Sequence, residues 1–399
     1  MPSQVKPLAI TAYTTTCAAG RGRAALLSAL REKRSGLRFN DFTDAPLATW
    51  IGRVADVESS PLPIELAEWE CRNNRLAWMG LQADDFVSQV AAARERYGAS
   101  RVAVVLGTST SSIGATEEGY KRLLPDGQYP PDLRRRIVHT PHSLGDFVQH
   151  ALGLTGVCIT VATACSSSAK VFAQAERLMR MGVADAAVVG GVDTLCGSVL
   201  FGFNSLELVS PEPCRPFDPE RRGITLGEAA GFALLERATN QAAPSLLGYG
   251  ETSDAHHMSS PHPDGLGARI AIQQALARAG IDASAIDYIN LHGTASRMND
   301  EIEGRVLADV FPRTTRASST KGWTGHALGA AGIVEAVITL LALENGLIPG
   351  TLNSIAIDPA CGEQIALDNE QRELRYALSH SFGFGGSNCV LAFGRDVAR

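Results

Sequence analysis

Two kinds of apolar pattern alternate along this chain. Uniformly apolar, β-branched runs predict strands buried on both faces. Stretches whose apolar positions recur every three or four residues predict helices. Residues 7–13 (PLAITAY) predict a first strand and 20–33 a helix. Residues 36–64, with several prolines and glycines, predict irregular chain, and 65–93 a helix broken near Gly80 and Asp84. Residues 101–106 (RVAVVL) predict a buried strand, followed by the small-residue run GTSTSSIG at 107–114. Residues 119–142 mix prolines with charge and predict a surface excursion; 144–152 predict a short helix. A strand over 157–161 hands over to a helix that runs to about Met181 and stops at Gly182. Residues 184–190 (ADAAVVG) predict the next buried strand, so this strand–helix–strand unit predicts parallel pairing.

The second half predicts strands at 245–253, 287–291 and 316–319, and helices at 267–279, 299–311 and 325–344. Residues 376–381 and 388–393 predict a closing hairpin across SFGFGGSN. A weak internal echo links TACSSSAKVFAQAERL to STKGWTGHALGAAGIVEAVITL. Each sets a reactive side chain and small residues at the start of an apolar helix. The chain reads as two related halves, 1–240 and 241–399, not as a short repeat.

Cys165, within TVATACSSSAK at 160–170, sits where the buried strand meets its helix. A helix N-terminus lowers a thiol pKa, and small neighbours admit a substrate backbone, so the position suits a nucleophilic thiol. A buried structural cysteine is the plain alternative.

Composition narrows the field. The chain has 399 residues, 45% apolar and 20% charged, with a formal net charge of −6. That fits a soluble globular protein and argues against a general nucleic-acid role. None of the eight cysteines forms a C-x-x-C pair, which leaves a zinc ribbon or dithiol motif unsupported. No uninterrupted apolar stretch of about 18 residues occurs and no basic leader opens the chain, so neither a membrane span nor a targeting segment is expected. A reducing cytoplasm with free thiols is the expected setting.

Three further stretches complete a set with Cys165: HGTAS at 292–296, STKGWTGHALGAAG at 319–332 and SFGFGGSN at 381–388. His292 ends a strand, where loops carry function, and His326 precedes a helix. Either alone is commonly a paired structural residue. Two histidines and a thiol at three separate element ends exceed what packing requires. The glycines of SFGFGGSN precede a strand, not a helix, so a dinucleotide loop is rejected. A tight turn, or a loop giving a backbone N–H to an oxyanion hole with Phe384 over the pocket, remains. His256, His257 and His262 match no standard metal spacing, and Arg134, Arg135 and Arg136 read as a solvated face.

Taken together these stretches resemble the β-ketoacyl-acyl-carrier-protein synthases of the two-histidine class, within the thiolase-like superfamily. The matching motifs are TACSSS at Cys165, CRPFDPERRGITLGEAAG at 214–231, DAHHMSSP at 254–261, NLHGTAS at 290–296, STKGWTGHALGAAG and SFGFGGSN, in the family order. The resemblance implies an α/β chain with a five-layered αβαβα fold of two similar halves. It also implies a homodimer, with a heterodimer with a related subunit left open. It casts Cys165 as the thiolate that takes an acyl group, and His292 and His326 as donors to the enolate formed from malonyl-carrier protein. Lys321 and Glu335 match supporting positions, Phe384 the oxyanion-hole and gate position, and Thr294 and Ser296 the phosphopantetheine-binding hydroxyls. Thr110 falls at the acyl-pocket position, and Arg72, Arg135 and Arg136 fall near carrier-protein docking positions. The implied partners are an acyl-carrier protein and acyl and malonyl thioesters; no metal and no bound cofactor are implied, the phosphopantetheine arriving on the carrier.

Departures from the family pattern are Lys170 for a usual His, Arg222 for a usual acid, and Ala229 in GEAAG. Within fatty-acid or polyketide biosynthesis they point to a divergent branch, a secondary-metabolite or aryl-polyene-type synthase instead of the housekeeping fatty-acid enzyme. A degradative thiolase would need a second catalytic cysteine, and Cys389 does not stand in place of a His. A Cys–His–Asn initiator is disfavoured by His326, and a chain-length-factor-like partner by the presence of Cys165, His292 and His326.

Overall fold

The protein was analysed as a computed structural model that describes residues 4–237 and 243–395. Ten strands carry the architecture. The first half holds β1 (Leu8–Cys17), β2 (Val102–Gly107), β3 (Cys158–Val161), β4 (Ala186–Asp193) and β5 (Ala229–Arg237). The second holds β6 (Ser245–Ser253), β7 (Tyr288–Asn290), β8 (Arg316–Ser318), β9 (Tyr376–Gly383) and β10 (Ser387–Gly394). They hydrogen-bond along one path, β8-β7-β9-β10-β6-β1-β5-β4-β2-β3. Only a two-pair antiparallel ladder, Leu8↔Leu246 and Ala9↔Ser245, joins β1 to β6. Cut there, both halves show the same order, third-second-fourth-fifth-first strand, with the same parallel and antiparallel pairs. The boundary at 240/241 lies outside the described residues.

Side-chain alternation along the strands builds the layers. Ala103 and Val105 of β2 face one core, while Val102, Val104 and Leu106 face another. The outer core of the first half is closed by α2 (Arg72–Leu81), α3 (Phe86–Tyr97) and α5 (Ser143–Ala151). The outer core of the second is closed by α8 (Leu266–Ala279) and α9 (Arg297–Val310). Between the sheet halves lie α6 (Ser167–Arg180) and α11 (Ala331–Asn345). This is the five-layered αβαβα arrangement. It explains why α11 is apolar all round: from Ala331 to Leu343 every side chain is buried.

Several expectations change. β3 and β4 run parallel, as the pattern implies, but both pair with β2 between them and not with each other. The stretch 20–33 opens with a two-residue strand against β1 before α1 (Arg23–Arg31). Residues 65–93 resolve into a 3₁₀ segment at Ile64–Trp69 and then α2 and α3, split where Asp84 and Asp85 both take positive φ. The surface excursion is preceded by α4 (Ile113–Lys121). Two elements had no clear periodic signal: β5, and α7 (Gly197–Ser205). The long helix starts at Ala331, five residues beyond His326, after α10 (Lys321–Thr324) and a 3₁₀ turn at Leu328–Ala330.

Candidate active site

The two inner helices meet at their N-terminal ends. A Cβ on Gly332 would come 2.7 Å from the Ala169 backbone nitrogen, so only glycine permits this approach. Ile333 N–H donates to Ser168 Oγ at 2.9 Å and ties the crossing. The small residues flagged at both helix starts therefore bring Cys165 of one half to His326 of the other.

Cys165 follows Ala164, whose φ of 52° puts a non-glycine residue in the left-handed region. This sharp turn stands the thiol ahead of α6. Ser167 Oγ accepts Thr163 N–H at 2.9 Å and Ser166 Oγ donates to Thr163 O at 2.9 Å, which holds the turn. His326 is fixed through its backbone: its N–H donates to Thr225 O at 2.7 Å and its carbonyl accepts Gly227 N–H at 3.0 Å. The 214–231 motif thus acts as a rail for this histidine. His292 is fixed by Glu303 on α9, whose carboxylate accepts His292 N–H and Gly293 N–H, each at 2.8 Å. The same carboxylate lies 3.2 Å from His380 Nδ1.

The reactive atoms converge. His326 Nε2 is 3.0 Å from Cys165 Sγ. One ligand-capable atom from each of Cys165, His292 and His326 lies within 4.8 Å of the others. The two imidazoles meet edge to face, centroids 5.4 Å apart. Lys321 Nζ donates to Glu335 Oε1 and to the His292 carbonyl, all within the core. Lys321 thus meets His292 at its backbone carbonyl and sets a positive charge beside the site.

Electrostatics corrects one expectation. Burial pushes the Cys165 thiol up to about 11, outweighing the Lys321 charge and the Phe384 N–H that favour the thiolate. The resting group is a thiol, and the helix start alone does not ionise it. Burial and then the Lys321 charge hold both histidines well below their ordinary range, so both are neutral imidazoles. Burial also raises Glu335 to about 7 despite Lys321. Among the described residues, neither His292 Nδ1 nor His326 Nδ1 has a hydrogen-bond partner.

A cleft of about 430 Å³ opens onto this group. Thr294, Ser296, Phe203, Leu208 and Phe384 are among its walls. Thr294 Oγ1 and Ser296 Oγ lie 3.0 Å apart. Phe384 stacks on Phe203 of α7, centroids 5.6 Å apart and 18° from parallel.

Comparisons with known proteins agree with this geometry. Residues 5–241 match the family described as "Beta-ketoacyl synthase, N-terminal domain", and residues 244–354 its C-terminal domain. The chain belongs to the β-ketoacyl synthase family. It is 34% identical over 306 residues to "Nodulation protein E" of Rhizobium meliloti (strain 1021), covering 74% of this chain and 76% of that one. It is 33% identical over 320 residues to "3-oxoacyl-[acyl-carrier-protein] synthase 2" of Vibrio cholerae serotype O1, with the same coverages, 74% and 76%. Among solved structures it resembles the "Ketosynthase (ApeO) in Complex with its Chain Length Factor (ApeC) from Xenorhabdus doucetiae", with TM-score 0.88, 36% identity and 98% of each chain covered.

Within this β-ketoacyl synthase, some expected site residues lie elsewhere. Thr110 is buried off the cleft wall, its N–H and Oγ1 both bound to Asp193 Oδ1 at 2.6 and 2.7 Å. Its neighbours Ser111 and Ser112 line a second cavity of about 980 Å³ instead. Arg72 is paired with Glu228 and Glu58, so its guanidinium is not free to dock a partner. Arg135 donates to Glu70 O at 2.8 Å and lines the second cavity, and Arg136 is exposed and is not among the lining residues of either cavity. Sequence reasoning missed Glu303, Asp193 and His380, buried polar residues whose part in the site comes from hydrogen bonds to other elements of the fold. Arg222 was noted only as a departure, yet it lines the mouth of the cleft with Arg297.

Proposed function

We propose that this synthase joins an acyl group held on Cys165 to the two-carbon unit of a malonyl-acyl-carrier protein, releasing carbon dioxide and a 3-oxoacyl thioester. Support comes chiefly from one observation: a buried thiol 3.0 Å from a neutral imidazole, with a second neutral imidazole beside it.

In the first half-reaction the Sγ proton moves to His326 Nε2 and sulfur attacks the acyl thioester carbonyl. Backbone N–H groups of Cys165 and Phe384 receive the oxyanion, each such donor contributing roughly 3–4 kcal/mol to barrier lowering. The carrier's carbon–sulfur bond breaks, and its thiol leaves with the proton. In the second, malonyl thioester loses its carboxylate as carbon dioxide. The electron pair becomes an enolate whose oxygen accepts from His292 and His326. The enolate carbon attacks the acyl-cysteine carbonyl, the bond to Cys165 breaks, and the leaving thiolate takes up a proton from solvent to restore the resting thiol. An unpinned Nδ1 lets His326 accept at Nε2 in one half-reaction and donate there in the other. Lys321 and Glu335 support His292, and Thr294 and Ser296 receive the phosphopantetheine arm at the cleft wall. No metal or bound cofactor enters this chemistry.

We further propose that the enzyme works as a dimer, with a second copy or with a related subunit as the Xenorhabdus ketosynthase does. The outer edge of β3, half-buried along its length and unpaired among the described residues, suits such pairing. The eight cysteines are all free thiols, which suits a cytoplasmic setting. The thiolase alternative is weakened because Cys389 lies buried in β10 opposite Ser381 and Glu251, off the cleft.

The test is intact-protein mass spectrometry after mixing with acyl-carrier proteins of several acyl lengths, with Cys165→Ala beside the wild type. Acyl mass on the wild type alone supports the reading, and the accepted lengths define the pocket. No acyl transfer to either protein moves the assignment to a partner-dependent or chain-length-factor role.

A further inference from the structure

We infer that Lys170 is a positioning residue that latches the Phe384 loop onto the turn carrying Cys165. The inference rests on the condensing reading above.

Lys170 lies in the first turn of α6, where the helix dipole disfavours a cation. It is half-buried and forms no ion pair among the described residues. Glu251, across the ladder from Cys389, is taken by Arg177. Local cost without an evident structural return marks a functional position. What receives the ammonium is Ser387 Oγ, at 2.7 Å. Ser387 is the first residue after the loop Phe384–Gly386. Ser166 Oγ, next to Cys165, lies 3.3 Å from the same Oγ and, with its own proton on Thr163 O, accepts from the Ser387 hydroxyl. Lys170, Ser387 and Ser166 thus form a short polar chain from the loop base to the nucleophile's turn.

The opposite side of the loop is held independently. Gly386 O accepts Asp254 N–H at 2.9 Å, and Gly385 N–H donates to Met258 O at 2.7 Å. Gly383 is pressed so close that a Cβ there would lie 3.1 Å from Cys165 N. With one side fixed by backbone bonds, the Lys170 chain sets the other. Its geometric consequence is the position of Phe384 N–H, which shares the cleft with Cys165 and favours its thiolate. An oxyanion donor works only within a few tenths of an ångström of its aim. Lys170 therefore acts on the rate of acyl transfer rather than on carrier affinity.

The experiment measures the rate of Cys165 acylation by an acyl-carrier protein, with kcat and KM, for wild type, Lys170→Met, Lys170→Arg, Ser387→Ala and the Lys170→Met/Ser387→Ala double variant. The expected result is an acylation rate and kcat down about tenfold in each of Lys170→Met and Ser387→Ala with KM unchanged. The double variant should be no more than about twofold lower again, because one interaction is lost only once. Lys170→Arg should recover most of the rate. Single variants within about twofold of wild type, or a multiplicative loss in the double variant, overturn the latch. Should Lys170→Met fail to fold, Ser387→Ala and Lys170→Arg still decide it. A wild type that takes up no acyl group overturns the condensing reading itself, whereas an acylated wild type with unaffected variants overturns the latch alone.

Discussion

His326 Nε2 makes the 3.0 Å contact to Cys165 Sγ, while His292 makes no hydrogen bond to the sulfur. The two histidines are therefore not equivalent, although both are neutral and both line the same cleft. His326→Ala should slow acyl transfer to Cys165 by about 10²–10⁴, the usual span for a lost proton acceptor. His292→Ala should leave acylation within about tenfold and remove decarboxylation of malonyl-carrier protein. Rapid-quench mass spectrometry and carbon dioxide release separate the two. Equal losses in both half-reactions for both variants would contradict this division.

Burial, not the helix start, governs the thiol. With Cys165 pushed up to about 11, alkylation by iodoacetamide should keep rising with pH beyond about 9, as the thiolate fraction grows. Lys321 is the first charge that favours the thiolate, so its loss moves the thiol further up. Lys321→Met should slow alkylation at any one pH. A rate that levels off below about pH 8 would show that the free enzyme ionises its thiol by other means.

Glu335 gives a stability signature with a definite sign. Its carboxyl is raised from 4.5 to about 7, so the fold holds a proton that the unfolded chain releases. Its contribution is present in full below about 4.5 and is lost as pH rises through about 7. Glu335→Gln keeps the neutral shape and removes the titration. Melting curves from about pH 5 to pH 8 should therefore fall less steeply for the variant than for wild type. Parallel curves would sink the assignment.

Much of this was legible in the sequence because it is written locally. The apolar runs gave β2, β3 and β4, and the burial of β2 and β4 on both faces follows from a sheet covered on both sides. Cys165, His292 and His326 were legible because each interrupts small residues at an element end. What was not legible depends on contacts across long sequence separations. Glu303 holds His292 from a different element, and Asp193 takes Thr110 out of the cleft wall by accepting its hydroxyl. The thiol's raised pKa comes from burial that no single segment reveals. α7 has few periodic polar positions to mark it, yet it supplies Phe203 under Phe384.

The carrier-docking face follows from which cations remain free at the mouth. Arg72 is neutralised by Glu228 and Glu58, and Arg135 lines the other cavity. Arg222 and Arg297 are exposed, line the cleft above Cys165 and form no ion pair among the described residues. Leu206 and Met298, 53% and 51% exposed, stand with them and offer an apolar footing. An acidic partner delivering a long arm into the cleft meets these groups first, even though the chain carries a net charge of −6. Arg222→Glu with Arg297→Glu should raise KM for an acyl-carrier protein by about tenfold or more, and the effect should shrink as salt rises. KM for an acyl-pantetheine surrogate, which has no acidic body, should change by less than about threefold. Arg136→Glu, outside the lining of either cavity, should leave both constants near wild type. A loss that is equal for carrier protein and surrogate would mean the two arginines shape the cleft and do not dock the partner. A loss confined to Arg136→Glu would move the docking face away from the cleft mouth.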